Sequence, residues 1–210
     1  MTDLLIMALL GLVAGGLANL VISQFCNISW SIRVTTCLLS SALWVLVAVR
    51  FTPPAVNLAY GLLVSALITQ SVIDARTNRL PRQISYAALA LATPLLIGAA
   101  WLSGPRIAVF TGVLGAALVW SFFAVLRKLN PRALGAGDVH FVPLLGAYLG
   151  WLGLDALVVG FASALFLAGG VAVIQLANSV VKHRNVRADV IPLGPYLAFG
   201  CLITVLIYAR

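Results

Sequence analysis

The chain contains no glutamate. Its acidic complement is five aspartates, and only 9% of its 210 residues are charged. A soluble globular domain carries roughly a quarter charged residues, so a water-soluble monomer is excluded. A disordered chain is excluded too, because disorder needs low hydrophobicity and high charge. Cysteine is scarce. Cys26, Cys37 and Cys201 lie far apart, in or beside apolar runs, and no two are spaced as a CxxC pair. That rules out a disulfide scaffold and leaves no zinc signature; neither a metal nor an organic cofactor is expected. The sequence shows no low-complexity tract and no internal repeat, its longest hydrophilic stretch is VKHRNVRAD, 181–189, and no extramembrane domain is expected within it. No basic residue precedes the apolar run of MTDLLIMALLGLVAGGLANLVISQ, so the N-terminus reads as a retained helix rather than a cleaved signal peptide.

What fills the chain instead is apolar: 62% of residues are hydrophobic and the mean hydropathy is +1.10. Apolar runs fall at 4–24, 34–49, 55–73, 84–102, 106–126, 139–153, 155–177 and 190–208, separated by Pro, Asn and Arg. Each is near the length of about 20 residues that a spanning helix needs, although the second and sixth are short. The expected fold is all-α: one polytopic membrane-embedded domain, 1–210, of about eight transmembrane helices in a lipid bilayer. Small residues at helical spacing, Gly11 with Gly15 and Gly146 with Gly150, suit close helix contact in lipid. The net charge of +8 does not imply nucleic acid. Ten of the thirteen basic residues fall in the loops after spans one, three, five and seven, the pattern that marks cytoplasmic loops. Both termini are then expected outside.

The aspartates are the informative residues, since an ionised Asp in mid-bilayer costs roughly 2.5–3.5 kcal/mol on insertion scales. Asp3 is terminal, and Asp155 reads as an N-cap at the outer start of span seven. Asp74, Asp138 and Asp189 are different: loop parity puts all three at cytoplasmic ends of spans. Two carboxylates brought together there resist joint ionisation, so one keeps a proton while the other acts as base. Such a pair can activate water against a peptide carbonyl. Each aspartate also has a plainer use, Asp74 pairing with Arg76 or Arg79, Asp138 capping a helix, and Asp189 capping a helix or pairing with Arg187. Position leaves open which two of the three would form a pair. Gly135 and Gly137, just before Asp138, permit backbone that a helix refuses and let an extended substrate approach.

With these residues assembled, the chain resembles the prepilin leader peptidases of type IV pili and type II secretion, within the wider group of GxGD membrane aspartyl proteases. IDARTNRLP, 73–81, is similar to the family's first aspartate motif; GAGDVHFVPLLGAYLGW, 135–151, to the second; and IPLGPYLAFG, 191–200, to its Pro-x-Gly-Pro element. GLVAGGLANLVI, 11–22, resembles the first helix of full-length members, with Asn19 matching their Asn. The resemblance implies N-terminal helices over 1–52 and a peptidase core over 53–210. It implies that Asp74 and Asp138 are catalytic, and that Asp189 is a cap or a salt-bridge partner. Pro192, Gly194 and Pro195 would shape a close-packed helix start beside the pair.

Two positions depart from the family pattern: Arg82 stands after the Leu-Pro, where an acidic or amide residue is frequent, and His140 stands where a lysine is common. His140 is a candidate accessory residue that could tune Asp138. The larger departure is the first cytoplasmic loop, only about 25–33, in which bifunctional members carry paired CxxC motifs and to which their N-methyltransferase activity belongs. The implied function is endoproteolytic removal of a short basic leader from prepilins or pseudopilins at the cytoplasmic face of the bacterial inner membrane. Rival readings are a broader GxGD intramembrane protease, a proton or ion transporter with acidic residues near mid-membrane, and a non-catalytic scaffold.

Overall fold

The structure, a computed structural model, describes residues 2–102, 105–131, 134–181 and 192–208. Asp189 and the basic residues Arg132, Lys182, Arg184 and Arg187 lie outside the described residues.

Eight helices follow one another among the described residues: α1 (Thr2–Ser23), α2 (Trp30–Arg50), α3 (Pro54–Thr77), α4 (Arg82–Leu102), α5 (Ile107–Leu129), α6 (Ala136–Leu152), α7 (Leu154–Val181) and α8 (Gly194–Tyr208). They match the eight apolar runs almost one for one. In lipid a helix is the only open-ended element that bonds all its own amides, which is why apolar runs of this length fold this way. Six of the eight are long and apolar enough to cross a membrane. The other two, α6 and α8, have 17 and 15 residues, and at about 1.5 Å per residue they reach less far.

One helix organises the bundle. In α3, 72% of the most apolar stretch is buried, against 17–28% for the other five spanning helices. Leu63, Val64 and Leu67 of α3 join Phe141, Val142, Leu144 and Leu145 of α6 and Leu197 and Cys201 of α8 in one continuous core. The outer helices turn large apolar side chains outward, Phe166, Val113 and Leu17 among them. A water-soluble protein would hide such residues, whereas lipid solvates them.

The glycine pairs act as the sequence suggests. A Cβ on Gly11 would stand 2.7 Å from the Ser41 Cα and one on Gly15 2.7 Å from the Cys37 Cα, so α1 lies directly on the backbone of α2. Asn19 adds a polar tie, its Nδ2 donating to the Arg33 carbonyl at 2.9 Å. Gly146 of α6 meets Gly115 of α5 equally closely, a Cβ there standing 2.7 Å from the Gly115 carbonyl oxygen. At the start of α7, Asp155 lies within the first turn rather than at the cap, so it complements the helix dipole instead of closing the end.

Candidate active site

Asp74 lies in the last turn of α3, because the helix continues past the apolar run to Thr77. Asn78 then ends it in the left-handed conformation, φ 50°, with its N–H on the Asp74 carbonyl at 2.8 Å. Asn tolerates that conformation better than most residues. Beyond that turn, Leu80 lies against Gly137 and Gly194.

Asp138 occupies the first turn of α6. Its Oδ2 accepts the N–H of Gly135 at 3.1 Å, so the carboxylate closes the start of its own helix. The plain capping role and a place in a pair are therefore compatible for this residue. The Asp74 Oδ2 accepts the N–H of Gly194 at 2.9 Å, the first residue of α8. Each aspartate thus holds one glycine N–H through one oxygen, and its Oδ1 has no protein hydrogen bond among the described residues. Neither carboxylate makes an ion pair among those residues, so Asp74 is not neutralised by Arg76 or Arg79, both of which are exposed.

The two carboxylates are buried, Asp74 at 4% exposure and Asp138 at 8%, and Asp74 lies within electrostatic reach of Asp138. The Arg127 guanidinium at the end of α5 is within the same reach of Asp138, and its Nη1 donates to the Leu134 carbonyl at the mouth of the glycine loop, at 3.5 Å. Two acids that share a buried site and keep one free oxygen each can divide a proton between them, one accepting from water and one donating to a carbonyl.

Leu80 joins the three sequence motifs physically. A Cβ on Gly137 would stand 2.7 Å from the Leu80 Cβ and 2.8 Å from its carbonyl oxygen. A Cβ on Gly194 would stand 2.7 Å from the Asp74 Oδ2 and 3.1 Å from the Leu80 Cδ2. Any side chain at either glycine would push apart the elements that carry the acids. Pro192 and Pro195 flank Gly194, half-buried, at the start of α8.

His140 faces elsewhere: its Nδ1 pairs with the Tyr86 hydroxyl at 2.7 Å, tying α6 to α4. Arg82 is exposed at the head of α4. Farther along the same helices is a clasp that the sequence reading did not single out. The Tyr60 hydroxyl of α3 donates to the Tyr148 carbonyl of α6 at 2.8 Å, and the Tyr148 hydroxyl donates to the Ala59 carbonyl at 2.7 Å. Tyrosines inside apolar runs were the available signal, since a buried phenol needs a partner.

The Type IV leader peptidase family profile matches residues 61–174, just over half of the chain. Among curated proteins, the chain is 33% identical over 172 residues to a prepilin leader peptidase/N-methyltransferase of Aeromonas salmonicida (strain A449), covering 80% of this chain and 56% of that one. It is 27% identical over 173 residues to the protein of the same name in Bacillus subtilis (strain 168), covering 82% and 63%. With the Escherichia coli (strain K12) protein it shares 28% identity over 152 residues, 71% and 63% of the two chains. The chain therefore spans a little over half the length of the first of these relatives. No solved structure matches it.

Proposed function

Because the chain belongs to the type IV leader peptidase family, we propose that it is a membrane aspartyl endopeptidase that cuts the short basic leader from prepilins or pseudopilins. Asp74 and Asp138 are its catalytic pair, and the cut is made at the cytoplasmic face of the bacterial inner membrane, with both termini outside. The observation that carries this reading is the approach, to within electrostatic reach, of two buried carboxylates from distant parts of the chain, each with one oxygen that has no protein partner among the described residues.

In the reaction the ionised acid takes a proton from water, and the resulting nucleophile attacks the scissile carbonyl carbon. The protonated acid gives its proton to the carbonyl oxygen. Collapse of the tetrahedral gem-diol breaks the C–N bond, the first acid returns its proton to the leaving amine, and the second is reprotonated from the gem-diol hydroxyl. No metal or cofactor enters any step. Gly135 and Gly137 keep backbone space beside Asp138, and Gly194 orients Asp74.

The helices over 1–52 support a peptidase core over 53–210. The relatives' names include N-methyltransferase. In this chain the connection from α1 to α2 is only residues 24–29, and the proposed activity is the proteolytic one. A transporter reading fares worse, because the two acids sit at helix ends and not near mid-span. The test is co-expression with a prepilin and a gel-shift readout. The wild-type chain should convert the prepilin to the faster-migrating mature form; persistence of the full-length precursor at normal enzyme levels would overturn the reading.

A further inference from the structure

The helices that carry the two acids, α3 and α6, are joined by side-chain hydrogen bonds at Tyr60 and Tyr148, far from Asp74 and Asp138. Near the acids both are bonded to a third helix. α4 packs on each of them. Ser85 and Tyr86 are consecutive residues near its start, and successive side chains on a helix point about 100° apart, so the two reach different neighbours. The Ser85 Oγ accepts from the Gln70 Nε2 of α3 at 2.5 Å. Gln70 stands four residues before Asp74, on the same face of that helix. The Tyr86 hydroxyl pairs with the His140 Nδ1 of α6 at 2.7 Å, and His140 stands two residues after Asp138. One step of α4 thus holds both acid-bearing helices, each within about a turn of its aspartate.

Gln70 is fully buried, and its Oε1 has no hydrogen-bond partner. Turning the amide over exchanges its two ends and still leaves one of them unbonded. A buried polar group in that state costs stability, and a leucine of similar size would avoid the cost, so stability alone does not account for an amide here. Position does. Asp74 lies about 21 Å along α3 from Tyr60, so a tilt of about 3° around that far contact moves the carboxylate by about 1 Å, a displacement that can cost on the order of a hundredfold in rate. We propose that Gln70, Ser85, Tyr86 and His140 are positioning residues, through which the start of α4 braces α3 and α6 and holds Asp74 and Asp138 at the separation at which they share a proton. The proposal rests on the peptidase reading. It gives His140 a task, which is to tie α6 to α4 and not to touch a reacting atom.

The test replaces both partners of the buried bond at once. Gln70→Leu with Ser85→Ala leaves no polar atom unbonded there, and exchanges of that kind are close to neutral or stabilising. Purified in detergent, this double variant should melt no lower than the wild type and keep its KM for a prepilin, while kcat falls about tenfold, the pattern of a lost transition-state contribution. Tyr86→Phe tests the other arm at a side chain that is 47% exposed, where folding is not at stake. It too should lower kcat, by about fivefold, with KM kept. Wild-type kcat in either variant overturns the brace. So does a double variant that fails to accumulate or melts lower, because the bond then serves only to fasten the fold. Each of these outcomes leaves cleavage by the wild-type chain intact, whereas an inactive wild-type chain removes the peptidase reading and with it the pair to be positioned.

Discussion

A carboxylate converted to an amide keeps its shape and loses both its charge and its proton. Asp74→Asn and Asp138→Asn should therefore each abolish prepilin cleavage while the protein still accumulates in the membrane, since removing a charge does not hinder insertion. The double variant should be no worse than either single one, because groups acting as a unit are not additive. Measurable turnover by either single variant at normal expression excludes a shared-proton pair. The same pair makes a pH statement: only the singly protonated form has both a base and an acid, so cleavage should follow a bell-shaped profile, falling on the acid side as the base protonates and on the alkaline side as the acid ionises. A flat profile across both limbs would contradict it. Gly194→Ala probes the position of one acid. Its methyl would press on the Asp74 Oδ2 and on Leu80, and activity should fall about tenfold to a hundredfold through misplacement of the carboxylate. Gly98→Ala, whose Cβ meets nothing within 4 Å, should cleave like the wild type. At this scale the sequence was legible in part. It isolated three aspartates by their cost in a membrane, and only the family resemblance chose between them. That Gly194 donates to Asp74 could not be read at all, because the contact joins residues 120 positions apart.

The helices that carry the acids run antiparallel, and their far ends are held by the paired hydroxyl bonds of Tyr60 and Tyr148. Asp74 and Tyr60 are 14 positions apart on α3, about 21 Å at helical rise, so the clasp fixes how α3 and α6 lie without touching the chemistry. Tyr148→Phe removes one bond and keeps the ring contact with Tyr60, whose centroid lies 5.0 Å away. It should lower stability by about 1–2 kcal/mol, seen as a lower melting temperature in detergent, and should leave cleavage at permissive temperature largely unchanged. Unchanged melting would show that the hydroxyl adds nothing to helix registration. Element boundaries were largely readable because apolar length and flanking Pro, Asn and Arg are local signals. The end of α3 shows how such a boundary shifts. The apolar run stops just before Asp74, but the helix continues to Thr77, because backbone bonding persists until Asn78 turns left-handed. That extra turn places Asp74 inside a helix and not on a loop. Which helix touches which was not readable, apart from the close contacts announced by Gly11, Gly15, Gly146 and Gly150.

For the whole molecule, two independent lines bear on the proposal that the acids share one side of the bilayer. Basic residues concentrate in the loops after spans one, three, five and seven, and the fold brings the end of α3 to the start of α6 so that Asp74 lies within electrostatic reach of Asp138. The first is a statement about insertion, in which Lys and Arg resist translocation; the second is a statement about packing, in which two buried carboxylates must share one end of the bundle. Reporter fusions test both together. Fusions after Asn78 and after Pro131 should both read cytoplasmic, and a fusion after Pro105, in the connection from α4 to α5, should read as translocated. Opposite readings at Asn78 and Pro131 would separate the acids across the membrane and break the pair. Translocated readings at both would preserve the pair yet invert it, and a protease facing that way could not meet a leader still on the cytoplasmic side. Cytoplasmic readings at both, with Pro105 translocated, are the outcome in which the distribution of arginines and the joining of two distant aspartates describe one and the same orientation.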